Sequence, residues 1–370
     1  MSENGDLPFE SIEEAILRIR CNVSGFSAEG VSYPVEGFWR TDLPDDFHGS
    51  IAAVDGGSSR GPINQGQVIF IASSSLFERG KSVRRARKYQ IGVLDDLWHS
   101  ERISTCRETM EVKMALRATE SLDPEILLLD GSLEALISRD AWTPFGARYG
   151  SQPLRSFLED ILSEMEGIDL TGDLVPLTLN QATSETVDSI IEGYYVHKVG
   201  RAPRRDELLR ARIFLERYET LISLNELLTN SKRLVAVSKR SGSKIYFRSK
   251  IPDIEIVRKS FLFKTGYLRP IRSELRFPAY YGIDSSYPIT ITYAKLERNA
   301  NPLRIEIVGE HDESSLGRII GFLAKNSIRG YPYHLRMAHE MAKVSREEVL
   351  HLLKNLHLTE RPSGREVLGE

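Results

Sequence analysis

Cysteine is nearly missing: Cys21 and Cys106 are the only two in 370 residues. They are too few and too far apart for a disulfide framework or a cysteine-based zinc site, so a reducing, cytoplasmic compartment is the expectation. No run of 18 apolar residues occurs, and Met1-Ser2-Glu3-Asn4-Gly5-Asp6 shows no basic stretch leading into an apolar one. Neither a membrane span nor a secretory leader is expected. A large excess of charge is missing too: 49 Lys and Arg stand against 52 Asp and Glu, a net charge of -3. Any nucleic-acid surface must then be a local basic patch. There is no internal repeat and no low-complexity tract. There is no P-loop either, because the position five residues before Gly80 is Ser75 and not glycine.

What is there suits a globular protein, with 41% hydrophobic and 27% charged residues. The length implies one large domain with insertions, or two domains. Ile12, Ala15, Ile16 and Ile19 predict an amphipathic helix over Asp6–Arg20, a core-packing element that also suits docking. Residues 22–50 read as irregular chain. Ile51–Val54 reads as a buried strand ending at Asp55-Gly56-Gly57-Ser58-Ser59. Strands are expected at Gln67–Phe77 and Lys88–Leu94, and a helix from His99 to Ser121. Glu125–Leu133 is a second buried strand that again runs into Asp-Gly-Ser, at Asp130-Gly131-Ser132. From Leu133 to Ser231 only helical patterns occur, among them Leu154–Met165 and Asp206–Leu228, the latter mixing Leu and Ile with paired charges along the helix. Strand character returns at Leu234–Ser238, Ile289–Tyr293 and Leu303–Val308, before helices at Pro332–Ala342 and Ser345–Leu356, where Ser345 and Glu348 make a capping box. The fold class is α/β with a mixed sheet and a helical insertion.

The two aspartates are the strongest chemical signal. An ionised carboxylate against a core needs a metal, a cation or hydrogen bonds to compensate its lost solvation. If the two strands are neighbours, Asp55 and Asp130 point to one place, and a divalent cation with a preference for oxygen removes their repulsion. A turn cap is the alternative role for each. The intervening helix offers Glu111, beside the apolar face of Met110 and Met114, with Glu108 one turn earlier as the next candidate. Arg79, Lys81, Arg84, Arg85, Arg87 and Lys88 form a basic cluster read as a hairpin tip, suited either to a phosphate backbone or to blunting a sheet edge. Lys198, Arg201, Arg204 and Arg205 form a second patch, facing DNA or a protein partner.

Ala53-Val54-Asp55-Gly56-Gly57-Ser58 and Leu127-Leu128-Leu129-Asp130-Gly131-Ser132-Leu133 resemble the NurA nucleases. So do Val237-Ser238-Lys239, Tyr293-Ala294-Lys295-Leu296, Gly330-Tyr331-Pro332-Tyr333 and Ala338-His339, in the family's order. The resemblance implies an RNase H-like core in two parts, 51–135 and 232–358. These would follow a lead-in at 1–50, be separated by a helical insertion at 136–231, and be followed by a disordered tail at 359–370. It implies a 5'-3' exonuclease and single-strand endonuclease that acts on single-stranded DNA and duplex ends in double-strand break resection. It further implies manganese, or magnesium, as cofactor, a homodimer, and a HerA-type hexameric ATPase as partner. By the same resemblance Asp55, Asp130 and Glu111 are metal ligands, and Tyr331 and His339 belong to the site. The fitting mechanism is hydrolysis by two cations roughly 3.5–4 Å apart, with His339 on the second cation or the scissile phosphate. Lys239 and Lys295 would contact DNA and stabilise developing charge. Two rival readings remain. One is an actin-like or sugar-kinase ATP-binding protein, with Gly56-Gly57-Ser58-Ser59 as its phosphate cradle. The other is an inactive scaffold that docks the ATPase.

Overall fold

The computed structural model describes residues 36–44, 47, 49–63, 66–94, 99–139 and 151–355. The chain separates into two units, Met1–Phe38 and Trp39–Glu370. Of the first only a 3-10 turn, Glu36–Phe38, is described. The helix expected at Asp6–Arg20, Cys21 and the tail at 359–370 lie outside the described residues.

The second unit is organised by a mixed 10-stranded sheet. Its strands are β1 (Trp39–Arg40), β2 (Ile51–Ile63), β3 (Gly66–Arg79), β4 (Ser82–Leu94), β5 (Ile126–Asp130), β6 (Leu234–Ser238), β7 (Gly266–Leu268), β8 (Ile271–Arg276), β9 (Ser286–Lys295) and β10 (Leu303–Val308). Their order is β1-β7-β9-β10-β6-β5-β2-β3-β4, with β8 also paired to β9. The three central strands β2, β5 and β6 run parallel. β3 and β4 extend the sheet antiparallel on one side, β10 and β9 on the other. β5 is apolar up to its last residue, and β6 is buried throughout. That pattern follows from helices covering both faces.

On one face lie α1 (His99–Leu122), α3 (Ser151–Glu164), α4 (Gln181–Tyr194) and α5 (Arg205–Asn230). There Ala52, Val54, Leu127 and Leu129 pack with Val112, Ala115 and Leu224 in one core. On the other face α7 (Glu313–Lys325) and α8 (Tyr333–Ala342) pack Leu316, Ile320, Leu335 and Ala338 on Ile51, Ala53, Leu128 and Val235. The remaining helices are α2 (Leu133–Ser138), α6 (Asp253–Ser260) and α9 (Arg346–Asn355). The two short strands β11 (Ser327–Ile328) and β12 (Tyr331–Pro332) form a separate ribbon that leads into α8. The Ser345–Glu348 capping box is present, with Ser345 N–H on Glu348 at 2.7 Å and Glu348 N–H on Ser345 at 3.1 Å.

Three readings of the sequence change. Charges on α5 do not only pair along their own helix: Glu216 and Glu219 are buried against α1, bound by Arg102 at 2.5 Å and Lys113 at 2.6 Å. The helical period predicts which face packs on the sheet, but it is silent about a partner helix on the far side. The basic cluster reaches the hairpin tip only with Arg79 and Lys81, the latter in the turn beside Gly80, while Arg84, Arg85, Arg87 and Lys88 lie along the exposed edge strand β4. Finally, β2 does not end at Asp55. It pairs with β3 as far as Ile63, while its parallel pairing with β5 ends at Val54.

Candidate active site

Side chains alternate along a strand, so Asp55 continues the face of Ile51 and Ala53, and Asp130 that of Ile126 and Leu128. Both carboxylates therefore stand on the α7–α8 face, on adjacent strands, where β5 stops and β2 runs on paired with β3. A crevice beyond the carboxyl ends of parallel strands is where open α/β sheets bind ligands. Here a cleft of about 590 Å³ opens there, lined by Asp55, Glu111, Asp130 and His339 together with Arg107, Arg139 and Arg240.

The glycine pair after Asp55 serves two opposite faces. A Cβ on Gly57 would overlap the backbone carbonyl of Ala342 in α8. A Cβ on Gly56, on the other face, would stand 3.0 Å from Arg107 Cγ and 3.1 Å from Glu111 Oε2. Gly56 is thus the gap beside which Glu111 of α1 stands against β2, while Gly57 lets α8 lie flat on the sheet. Both glycines are in extended strand, paired with Ser73 and Ala72, so they form no phosphate-binding loop and the actin-like reading loses its cradle.

α8 carries His339, and several contacts fix it. Ser74 Oγ, opposite Asp55 in the register, donates to the Ala338 carbonyl at 2.7 Å. His334 Nε2 lies 3.1 Å from Glu78 of β3. His339 Nδ1 then sits 2.6 Å from Asp55 Oδ2, while Asp55 Oδ1 accepts the Gly56 N–H at 2.8 Å. Lys239, just past β6, places its ammonium 3.0 Å from Asp130 Oδ2 and 4.0 Å from the centre of the Tyr331 ring. The structure thus brings together Asp55, Glu111, Asp130, Lys239, Tyr331 and His339.

Electrostatics sets this cluster apart. Burial, and next the charge of Asp130, push the Asp55 carboxyl up, against the pull of His339. Burial and then Asp55 push Glu111 well above the ordinary carboxylate range, with Asp130 adding to it. Burial and Asp130 also hold the Tyr331 hydroxyl in its protonated form. Glu108, by contrast, is taken by arginine, with Arg139 at 2.5 Å. Three mutually repelling carboxylates beside an imidazole form an oxygen-rich donor set that suits manganese or magnesium. Among the described residues no three such side chains already stand as a closed ligand set, and Lys239 engages Asp130 in their place.

Sequence reasoning missed the device that holds Asp130. Glu306 of β10 is buried and accepts Ser132 Oγ at 2.6 Å and the Leu133 N–H at 2.7 Å, which clamps the turn after Asp130 and the start of α2. Arg304, also buried, lies 2.9 Å from Glu306 and pairs with Glu134. The signal was two charged residues, Arg304 and Glu306, in an otherwise apolar strand. Lys295 is a correction. It is 2% exposed, and its ammonium donates to the carbonyls of Phe261 at 2.6 Å and Leu262 at 2.7 Å, so it ties down the end of α6 and does not reach the cleft. A lysine at the end of a buried strand satisfies orphan carbonyls, a role its sequence neighbours do not reveal. Of the basic strand, Arg87 comes nearest the site: it shares a register row with Ser74 and Asp55 and donates to the Lys343 carbonyl at 2.5 Å. In the second basic patch Arg201 grips Glu207 at 2.6 Å and Lys198 pairs with Asp160 at 3.2 Å. No described helix is long and apolar enough to cross a membrane.

A family model described as the NurA domain matches residues 49–344. A relative from Saccharolobus solfataricus, named DNA double-strand break repair nuclease NurA, is 26% identical over 365 residues, covering 90% of this chain and 89% of its own. The crystal structure of the NurA nuclease from Sulfolobus solfataricus superposes with a TM-score of 0.67 at 20% identity, covering 95% of this chain and 97% of that one. A crystal structure of NurA bound to dAMP and manganese reaches a TM-score of 0.62 at 16% identity, covering 95% of this chain and 97% of its own.

Proposed function

The chain belongs to the NurA family, and from that premise we propose that it is a metal-dependent DNA nuclease acting in double-strand break repair. The observation that carries this reading is the pairing of Asp55 and Asp130 on adjacent parallel strands, with Glu111 beside Gly56 and His339 bonded to Asp55. The core we propose is RNase H-like. Its support is the order β4-β3-β2-β5-β6, with the first three strands antiparallel in sequence and β5 and β6 parallel to β2.

Asp55, Asp130 and Glu111 would hold manganese, or magnesium, in a two-ion arrangement. Such ions supply Lewis-acid activation of water and neutralise charge on the phosphate. The chain's own residues prepare the rest. Asp55 engages His339 through Nδ1, which leaves Nε2 facing away from the carboxylate to accept a proton or meet an ion or phosphate. Lys239 sits within reach of Asp130 and carries the charge that would follow a phosphate oxygen as negative charge develops. Tyr331, kept protonated by burial, offers a hydroxyl donor beside Asp130. Arg85 and Arg87, on the face of the exposed edge strand β4 that Asp55 shares through the register, give the nucleic-acid strand a path toward Asp55, with Arg84 and Lys88 on the opposite face of the same edge.

The finer reading is a 5'-3' exonuclease and single-strand endonuclease for single strands and duplex ends, working as a homodimer with a HerA-type hexameric ATPase. The test is cleavage of end-labelled single-stranded DNA with manganese, magnesium or chelator, beside Asp55→Ala and Asp130→Ala. Metal-dependent cleavage that both folded variants lose supports the proposal. Cleavage that persists in both overturns it.

A further inference from the structure

The cleft has a second wall, built of arginine. Glu108 stands one turn before Glu111 on α1 and is 8% exposed. Its Oε1 accepts from Arg139 at 2.5 Å and from Ser104 at 3.3 Å. Arg107 lies 3.9 Å from the same oxygen, and Arg217 of α5 lies 3.7 Å from Oε2. Glu108 therefore faces three guanidinium groups, of which Arg107 also acts on Glu111, and does not by itself neutralise Arg139 and Arg217. Arg217 is 2% exposed, and among the described residues none of its three nitrogens has a hydrogen-bond partner. A buried charge in that state is costly, so its retention behind a functional cleft calls for a use.

Arg139 is that wall's exposed member. It lines the cleft with Arg107 and Glu108, is half exposed, and is pinned through one nitrogen by Glu108 and Ser104. Among the described residues the rest of its guanidinium has no partner. A guanidinium held at one end and open at the other is preorganised to grip a phosphate through two N–H groups. The opposite wall of carboxylates attracts cations but repels a polyanion, so the strand needs such a counterweight.

We propose that Arg139, held by Glu108 and backed by Arg217, is a phosphate grip for the nucleic-acid strand, taking a phosphate other than the one over Asp55 and Asp130. This rests on the nuclease reading. Glu108 is a positioning residue, since it acts only through Arg139.

The experiment measures binding of the full chain, in chelator, to fluorescent single-stranded DNA over a series of potassium chloride concentrations. Three substrates are used: a 5'-phosphorylated strand, a 5'-hydroxyl strand and a circle. Arg139→Ala is expected to weaken binding about 5–10-fold, and to flatten the dependence of log affinity on log salt by about 0.7, the value of one phosphate on a single strand. Arg139→Lys keeps the salt slope and recovers part of the affinity. Glu108→Gln keeps the slope but, in a parallel assay with manganese in place of chelator, lowers cleavage at saturating DNA, and Glu108→Asp restores part of it. An equal loss on the circle assigns the grip to a phosphodiester, and a loss confined to 5'-phosphorylated ends assigns it to the terminal phosphate. Wild-type affinity and slope in folded Arg139→Ala would overturn the proposal. A wild-type chain that binds no strand would instead overturn the nuclease reading, and the grip with it.

Discussion

Gly57 lies directly under the carbonyl of Ala342, so that any Cβ at position 57 would overlap that oxygen. The contact joins the strand that carries Asp55 to the helix that carries His339. Gly57→Ala is expected to lift α8, with an overpacking cost of about 3 kcal/mol because backbone cannot yield as a side chain can. Gly56→Ala meets Arg107 Cγ at 3.0 Å, Glu111 Oε2 at 3.1 Å and the Arg107 carbonyl at 3.3 Å, all looser than the overlap at Gly57, and is expected to cost about 1 kcal/mol while cutting cleavage roughly tenfold through displacement of Glu111. Thermal melts beside cleavage assays separate the two. Equal loss of stability in both variants would contradict the assignment of the glycines to opposite faces.

Asp55 is pushed up by burial and then by Asp130. A carboxyl whose folded value is raised favours the fold below the ordinary carboxylate range and loses that contribution as pH rises through the raised value. In the metal-free protein at pH 8, Asp55→Asn should therefore raise the melting temperature, on the order of 2 °C. At pH 4 it should change little. Added manganese should stabilise the wild type and leave Asp55→Asn unmoved. The readout is a set of melting curves with and without manganese at both pH values, and an unchanged or lowered Asp55→Asn melt at pH 8 would count against the repulsion.

Between α1 and α5, burial raises Glu219 to about 7 even though Lys113 pulls it down. Its contribution to stability is fully present below the ordinary value and is lost as pH rises through about 7. Lys113→Met strips the carboxylate of its cation. The expected cost is about 3–5 kcal/mol at pH 8, where Glu219 must be buried ionised, and distinctly less at pH 5, where it is protonated. Denaturant melts at the two pH values check this, and a cost independent of pH would refute it.

Lys295→Met is expected to destabilise the protein by about 2 kcal/mol, because the carbonyls of Phe261 and Leu262 lose their donor. Its affinity for DNA should stay within about twofold of wild type, since the ammonium is buried away from the cleft. Paired chemical denaturation and DNA titration make the test. Weakened binding in a protein of unchanged stability would return Lys295 to the DNA surface.

By itself the sequence determined the central strands, the helices between them, and the placing of Asp55 and Asp130 in apolar runs that adjacent strands bring together. Local alternation and helical period carry that information, because burying one face of an element leaves a regular trace in the chain. Tertiary structure alone decided the rest. Glu111 and Glu108 look alike along the helix, and only the gap at Gly56 and the arginines around Glu108 separate a carboxylate that stands beside Asp55 from one that anchors arginine. Lys239 and Lys295 each follow a buried strand segment, yet one meets Asp130 and the other caps carbonyls. The glycine pair resembled a phosphate loop until β3 on one edge and α8 above it showed an extended strand under close cover. In each case the deciding partner lies far away in the chain. Periodicity reports that a residue is buried, and only packing reports against what.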